Sequence, residues 1–165
     1  MIEAAAQIPE LPLKIAGRGV GLQSVEAMIR SLVKAKSATN VEFLGFVPPN
    51  DLARIRHRAE AMVLPSISYE NASGSLLEAM SDGLPCLTTR IGGNPELVED
   101  GVNGFLARPN DVADWVRTLR RFLATSSELR REMGRRGREK IRRDHLWSTH
   151  LDRLMYVYEE AGMKK

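Results

Sequence analysis

Five short apolar runs recur along this chain, and each ends in turn residues before a helical pattern begins. The runs are Leu13 to Ala16, Val41 to Leu44, Ala61 to Leu64, Leu84 to Thr88 and Gly104 to Leu106. Strands alternating with helices at this spacing argue for βαβ units, a parallel sheet and helices on both of its faces. In such α/β sheets, ligands bind outside the carboxyl ends of the strands. Gly17-Arg18-Gly19, Gly45-Phe46-Val47, the loop around Glu70 and the stretch from Thr88 to Gly93 all follow strand ends and share one rim.

The helical patterns carry their own signals. Val25, Met28, Ile29, Leu32 and Val33 form one apolar face after the first run. Asn50 or Asp51 caps a short helix bearing Leu52 and Ile55. A helix from about Gly74 stops at Gly83, and Asn94 with Pro95 opens another as cap and first residue. Two helices finish the chain. One carries Trp115, Val116, Leu119, Phe122 and Leu123; the other starts near Ser148 and buries Leu151, Leu154, Met155 and Tyr158. Residues 1–7 read as the middle or end of a helix without a cap, the pattern of a domain cut from a longer chain. At 165 residues the chain is one domain with room for a proper core.

Chemistry concentrates between Glu70 and Glu78. A Ser/Gly-rich loop, Asn71-Ala72-Ser73-Gly74-Ser75, opens a helix there, with a carboxylate at each end of the stretch. The first turn of a helix offers unpaired N–H groups and a partial positive charge, which suits a phosphate. Acids on either side can accept hydrogen bonds from sugar hydroxyls. A diphosphate with a sugar on each side, the shape of a nucleotide-sugar, matches that arrangement.

Taken in order, residues 15–19, 41–47, 63–66, 70–80, 83–86 and 91–106 resemble the C-terminal, donor-binding domain of a GT-B retaining glycosyltransferase of the glycosyl transferases group 1 family. The resemblance covers almost the whole chain. It implies the C-terminal half of a GT-B fold, Rossmann-like. It also implies that Glu70, the catalytic-site acid, contacts hydroxyls of the transferred hexose, as a positioning group rather than a proven nucleophile. Glu78 would hold the ribose. Backbone N–H groups around Gly74, Ser75, Leu76 and Leu77 would meet the diphosphate, and Gly45-Phe46-Val47 would form the wall beside the base. Gly17 and Gly19, flanking Arg18, would let the backbone approach the ligand.

Two departures from the family pattern stand out. Asn71-Ala72 replaces the usual Gly-Phe after the first acid, so the sugar pocket differs. The family's first strand, with an Arg and then a Lys that offset the leaving group's charge, would precede Met1, as would the acceptor-binding N-terminal domain. The expectation is a sheet short of a central strand, which closes the gap or recruits a strand from a second copy. Such a chain alone should be inactive. A sugar-nucleotide epimerase-like protein, a glycogen or sucrose synthase branch, and a non-catalytic nucleotide-binding or interaction module stay open as alternatives.

The remaining residues are quieter. No Asp-x-Asp and no His/Cys cluster suggests a metal or other cofactor. Cys86 reads as a small buried hydrophobe, and His57, His145 and His150 have no partner at catalytic spacing. A formal charge of +3 is too small to argue for nucleic acid. From Arg130 to Arg143 eight basic residues face two acids. The plain reading is a solvated helix face; the sharper one is contact with anionic lipid at a membrane's inner face. Without a secretory pattern the expected location is cytoplasmic.

Overall fold

The computed structural model describes residues 1–17 and 23–162, and in the second helix the side chains from Glu26 onward. Its elements run α1 (Ile2–Ala5), β1 (Leu13–Ala16), α2 (Gln23–Ala35), β2 (Val41–Gly45), α3 (Pro49–Arg56), β3 (Met62–Leu64) and α4 (Gly74–Ser81). Then follow β4 (Cys86–Thr89), α5 (Asn94–Leu97), β5 (Gly104–Ala107), α6 (Val112–Ala124), α7 (Ser127–Asp144) and α8 (Trp147–Glu160). Each expected strand is present within two residues of its expected ends.

All strand pairing is parallel, in the order β3-β4-β5 and, separately, β1-β2. The period-two alternation of β4 and β5 builds two core layers. Leu87, Phe105 and Ala107 point to one face, against Trp115, Leu119 and Phe122 of α6. Cys86 and Leu106 point to the other, against Leu76, Ala79 and Met80 of α4. Burying each large side chain contributes roughly 1.5–3 kcal/mol, so this two-sided stack dominates the stability of the second half.

Of the two expected outcomes, closure of the gap does not occur within this chain: helix packing rather than a strand ladder joins the halves. Ile2 and Ala5 of α1 pack with Val41 in the β1-β2 cluster, while Ala4 and Ile8 pack into the α6 cluster. Asn40 secures this wedge by donating from Nδ2 to the carbonyls of Ala5 (3.0 Å), Ile8 (3.0 Å) and Leu11 (2.7 Å). β1 and β3 are thereby each left with a single strand neighbour among the described residues.

Several boundaries differ from the sequence expectation. The helix α3 starts at Pro49 after Pro48, where proline's fixed φ suits a first turn, and Asp51 pairs with Arg54 instead of capping. Gly93, not Asn94, is the N-cap residue of α5; Asn94 is buried and donates to Thr88 Oγ1 (3.0 Å) and the Thr89 carbonyl (3.3 Å). Met28 is exposed, so the α2 stripe rests on Ile29, Leu32 and Val33; the Val25 side chain lies outside the described residues.

Three helices, not two, end the chain. The extra one, α7, crosses α4 through Gly134 and Gly137. α8 has no buried residue: Leu151, Met155 and Tyr158 are exposed, because only α7 packs appreciably against it. No described helix is long and apolar enough to cross a membrane.

Candidate functional site

The rim is built from loops that leave the strands. β1 ends in Gly17, whose φ of +142° disfavours other residues, and its amide donates to the Gly45 carbonyl at 2.7 Å. Gly45 itself has φ +69°, and among the described residues a Cβ at either glycine would meet no atom within 4 Å. The backbone there is open to a ligand. Phe46 follows, exposed, with Val47 half-buried beside it. Arg18 and Gly19 lie outside the described residues.

β3 leads into the acidic loop. Glu70, Asn71 and Ala72 are exposed, whereas Ser73 is buried as the N-cap residue of α4. Ser73's carbonyl accepts from both the Leu76 and Leu77 amides at 3.1 Å. The amides of Gly74 and Ser75 have no acceptor among the described residues. Of the four amides expected at the diphosphate, these two are thus presented outward, while Leu76's side chain anchors the helix in the core. By its partial charge and its free donors, the N-terminus of α4 is able to receive an anion.

The loop after β4 holds Glu70 in place. Gly93's amide donates to the Glu70 carbonyl at 2.8 Å. A Cβ at Gly93 would sit 1.7 Å from the Asn71 carbonyl oxygen, and one at Gly92 2.6 Å from that of Glu70. The two loops therefore touch backbone to backbone, which side chains at 92 or 93 would forbid. Thr89 Oγ1 adds a bond of 2.5 Å to the Ser66 carbonyl, fixing the start of the same loop.

Glu78 lies one turn into α4, and its carboxylate meets Arg56 from α3: Nη1 donates to Glu78 Oε2 at 2.8 Å. The Nε of Arg56 donates to Asp82 Oδ2 at 2.7 Å. Neither Arg56 nor Asp82 stood out in the sequence. The signal was the acid pair at 78 and 82, four apart on one helical face.

The basic run of α7 is largely spent on the fold. Arg130 stacks on Phe122 at 4.3 Å and donates to the Leu123 (2.8 Å) and Thr125 (2.9 Å) carbonyls. Arg138 caps the carboxyl end of α4 through the carbonyls of Ser81 (3.0 Å) and Asp82 (2.5 Å). Lys140 bonds the Glu96 carbonyl; Arg135 and Arg136 pair with Glu132, and Arg143 with Asp144. Hydrogen bonds to Arg135 and Arg136 hold the Glu132 carboxyl down at about 2. Burial, in contrast, pushes the Cys86 thiol up to about 12, which leaves it a neutral hydrophobe.

Comparison with known proteins fits this geometry. The sequence profile of the family described as "Glycosyl transferases group 1" matches residues 1–140, and the chain belongs to that family. It is 28% identical to the D-inositol 3-phosphate glycosyltransferase of Mycobacterium marinum over 98% of this chain and 35% of that protein. Among solved structures, sucrose-phosphate synthase from Thermosynechococcus elongatus superposes with a TM-score of 0.84 at 26% identity, covering 97% of this chain and 41% of that one. Anabaena HepE, crystallised with UDP, has the same fold, with a TM-score of 0.85 at 22% identity over 96% of this chain and 44% of that one. The chain spans about a third of the length of the curated relatives it matches.

Proposed function

We propose that this chain is the donor-binding half of a glycosyltransferase that moves a hexose from a nucleoside diphosphate sugar to an acceptor with retention at the anomeric carbon. The observation that carries the reading is the pair of outward amides, Gly74 and Ser75, at the mouth of α4 between Glu70 and Glu78. That a protein of the same fold, Anabaena HepE, was crystallised with UDP supports a nucleotide as the ligand.

In this reading the diphosphate sits on the α4 amides. Glu78 accepts from the ribose hydroxyls, and Glu70 accepts from the hexose hydroxyls and fixes the sugar's orientation. The base lies along Gly45-Phe46-Val47, where the open glycine backbone leaves it room. The reaction passes through an oxocarbenium-like state as the nucleoside diphosphate departs with growing negative charge. The helix dipole and the two amides stabilise that charge without having to reorganise. In this reading the acceptor and its binding groups belong to parts of the protein beyond this chain.

Calorimetric titration with UDP, GDP, ADP and their sugars tests the proposal. One nucleoside diphosphate should bind, and Glu78→Gln should weaken it about tenfold, the worth of a charge-assisted hydrogen bond. Glu70→Gln should weaken the sugar-nucleotide while sparing the free nucleotide. Equal affinity in all three proteins would remove the reading.

A further inference from the structure

We infer that Arg56 is a positioning residue for nucleotide recognition, acting through Glu78; this rests on the donor reading above. The motivating fact is an anomaly of burial. The helix α3 has no buried residue, yet the charged side chain of Arg56 is only 17% exposed. It lies across the face of α4 with its guanidinium between two acids. Asp82, 22% exposed, takes Nε and fixes the plane of the fork. Nη1 then meets Glu78 Oε2.

Glu78 is 61% exposed, so without this contact its long side chain would sample several rotamers. Held by one oxygen, it presents Oε1, which has no partner among the described residues. A single carboxylate oxygen with a fixed direction suits a vicinal pair of ribose hydroxyls. Because binding then freezes fewer rotamers, more of the hydrogen-bond energy appears as affinity. Lys could not do this, since one ammonium lacks the planar fork that reaches both acids in a set geometry.

The arrangement also couples two parts of the site. α3 begins directly after Gly45-Phe46-Val47, and α4 begins directly after the acidic loop. Arg56 at the far end of α3 therefore staples the element behind the base wall to the element that carries the ribose acid. A shift in either one reaches the other through the guanidinium. Fit at the base is in this way linked to the grip on the sugar.

The test compares a ribonucleoside diphosphate with its 2′,3′-dideoxy counterpart, using the nucleotide that the full chain binds. Wild type should prefer the ribonucleotide by about tenfold. Arg56→Met and Arg56→Lys should each reduce that preference to below about threefold, and Glu78→Gln should abolish it. The double variant Arg56→Met, Glu78→Gln should match Glu78→Gln alone, because the arginine acts through the acid. Should Arg56→Met fail to fold, Asp82→Asn supplies the second route, since it frees the guanidinium while leaving both Arg56 and Glu78 in place; it should also lower the preference. A lower melting temperature with the preference intact in these variants makes Arg56 a structural staple only and overturns the inference. A wild-type chain that binds no ribonucleotide, or does not distinguish the two, removes the donor reading itself and this inference with it.

Discussion

The Gly93 amide donates to the Glu70 carbonyl at 2.8 Å, tying the loop after β4 to the loop after β3. This contact exists only because residue 93 lacks a side chain: a Cβ would lie 1.7 Å from the Asn71 oxygen. Gly93 has an ordinary helical φ of −79°, so space, not backbone conformation, dictates the glycine. Gly93→Ala should push the Glu70–Asn71 backbone outward. The expected outcome is a sugar-nucleotide that binds about as weakly as the free nucleotide, because Glu70 no longer reaches the hexose. Titration with both ligands checks it; unchanged discrimination would show that the two loops are independent.

Two glycines of α7 should behave oppositely when replaced by alanine. A Cβ at Gly134 would lie 1.8 Å from the Gly83 carbonyl oxygen, at the turn that ends α4. Neither backbone can yield without separating the helices, so Gly134→Ala should cost about 3 kcal/mol. A Cβ at Gly137 would meet Met80 and Asn103 at 3.7–3.8 Å, ordinary contact. Gly137→Ala should then be neutral or stabilising by up to about 1 kcal/mol, the helix-propensity gain. Denaturant melts of the two variants decide the matter.

That pair of glycines also explains what the sequence concealed. The strands were legible because they are short, largely apolar runs punctuated by turn residues, and β4 and β5 are buried on both faces, as strands covered by helices are. The acidic loop was legible because Ser73 to Ser75 break the apolar pattern just where α4 begins. α7 was not, because its contact face consists of Gly134 and Gly137 with only Met133 and Ile141 as apolar anchors. Close backbone approach leaves no hydrophobic periodicity to read. The opposite failure occurs in α8, where the apolar spacing is present but the described contact with α7 buries none of it fully. Arg56 was hidden for a third reason: its role depends on two acids more than twenty residues away on another helix.

Cys86 makes a chemical probe of the same core. Its side chain is fully buried in β4, and with the thiol at about 12 only about one molecule in ten thousand is thiolate at pH 8. Iodoacetamide should therefore leave the folded chain unmodified over hours and label it within minutes in denaturant. Mass spectrometry after timed exposure reads this directly. Rapid native labelling would mean that β4 is far less protected than its position between two strands implies.

Asp114 should govern part of the acid limit of stability. Burial by itself raises its pKa, but bonds from the Arg108 amide (2.6 Å) and the Arg117 guanidinium (2.6 Å) outweigh that and leave it below the ordinary carboxylate value of 3.8. The folded state thus favours the charged form. Its contribution is fully present above the unfolded pKa and is lost as pH falls through the lower folded value. The loss should be local first, because Asp114 stands in the opening turn of α6, where its own amide donates to the N-cap acid Asp111 at 2.8 Å. Asp114→Asn should lower stability near neutral pH and flatten its decline as pH falls below the ordinary carboxylate value of 3.8. Melting temperatures of both proteins across that range test the sign; parallel curves would show that the Asp114 carboxylate is not among the groups that acid must protonate to unfold the chain.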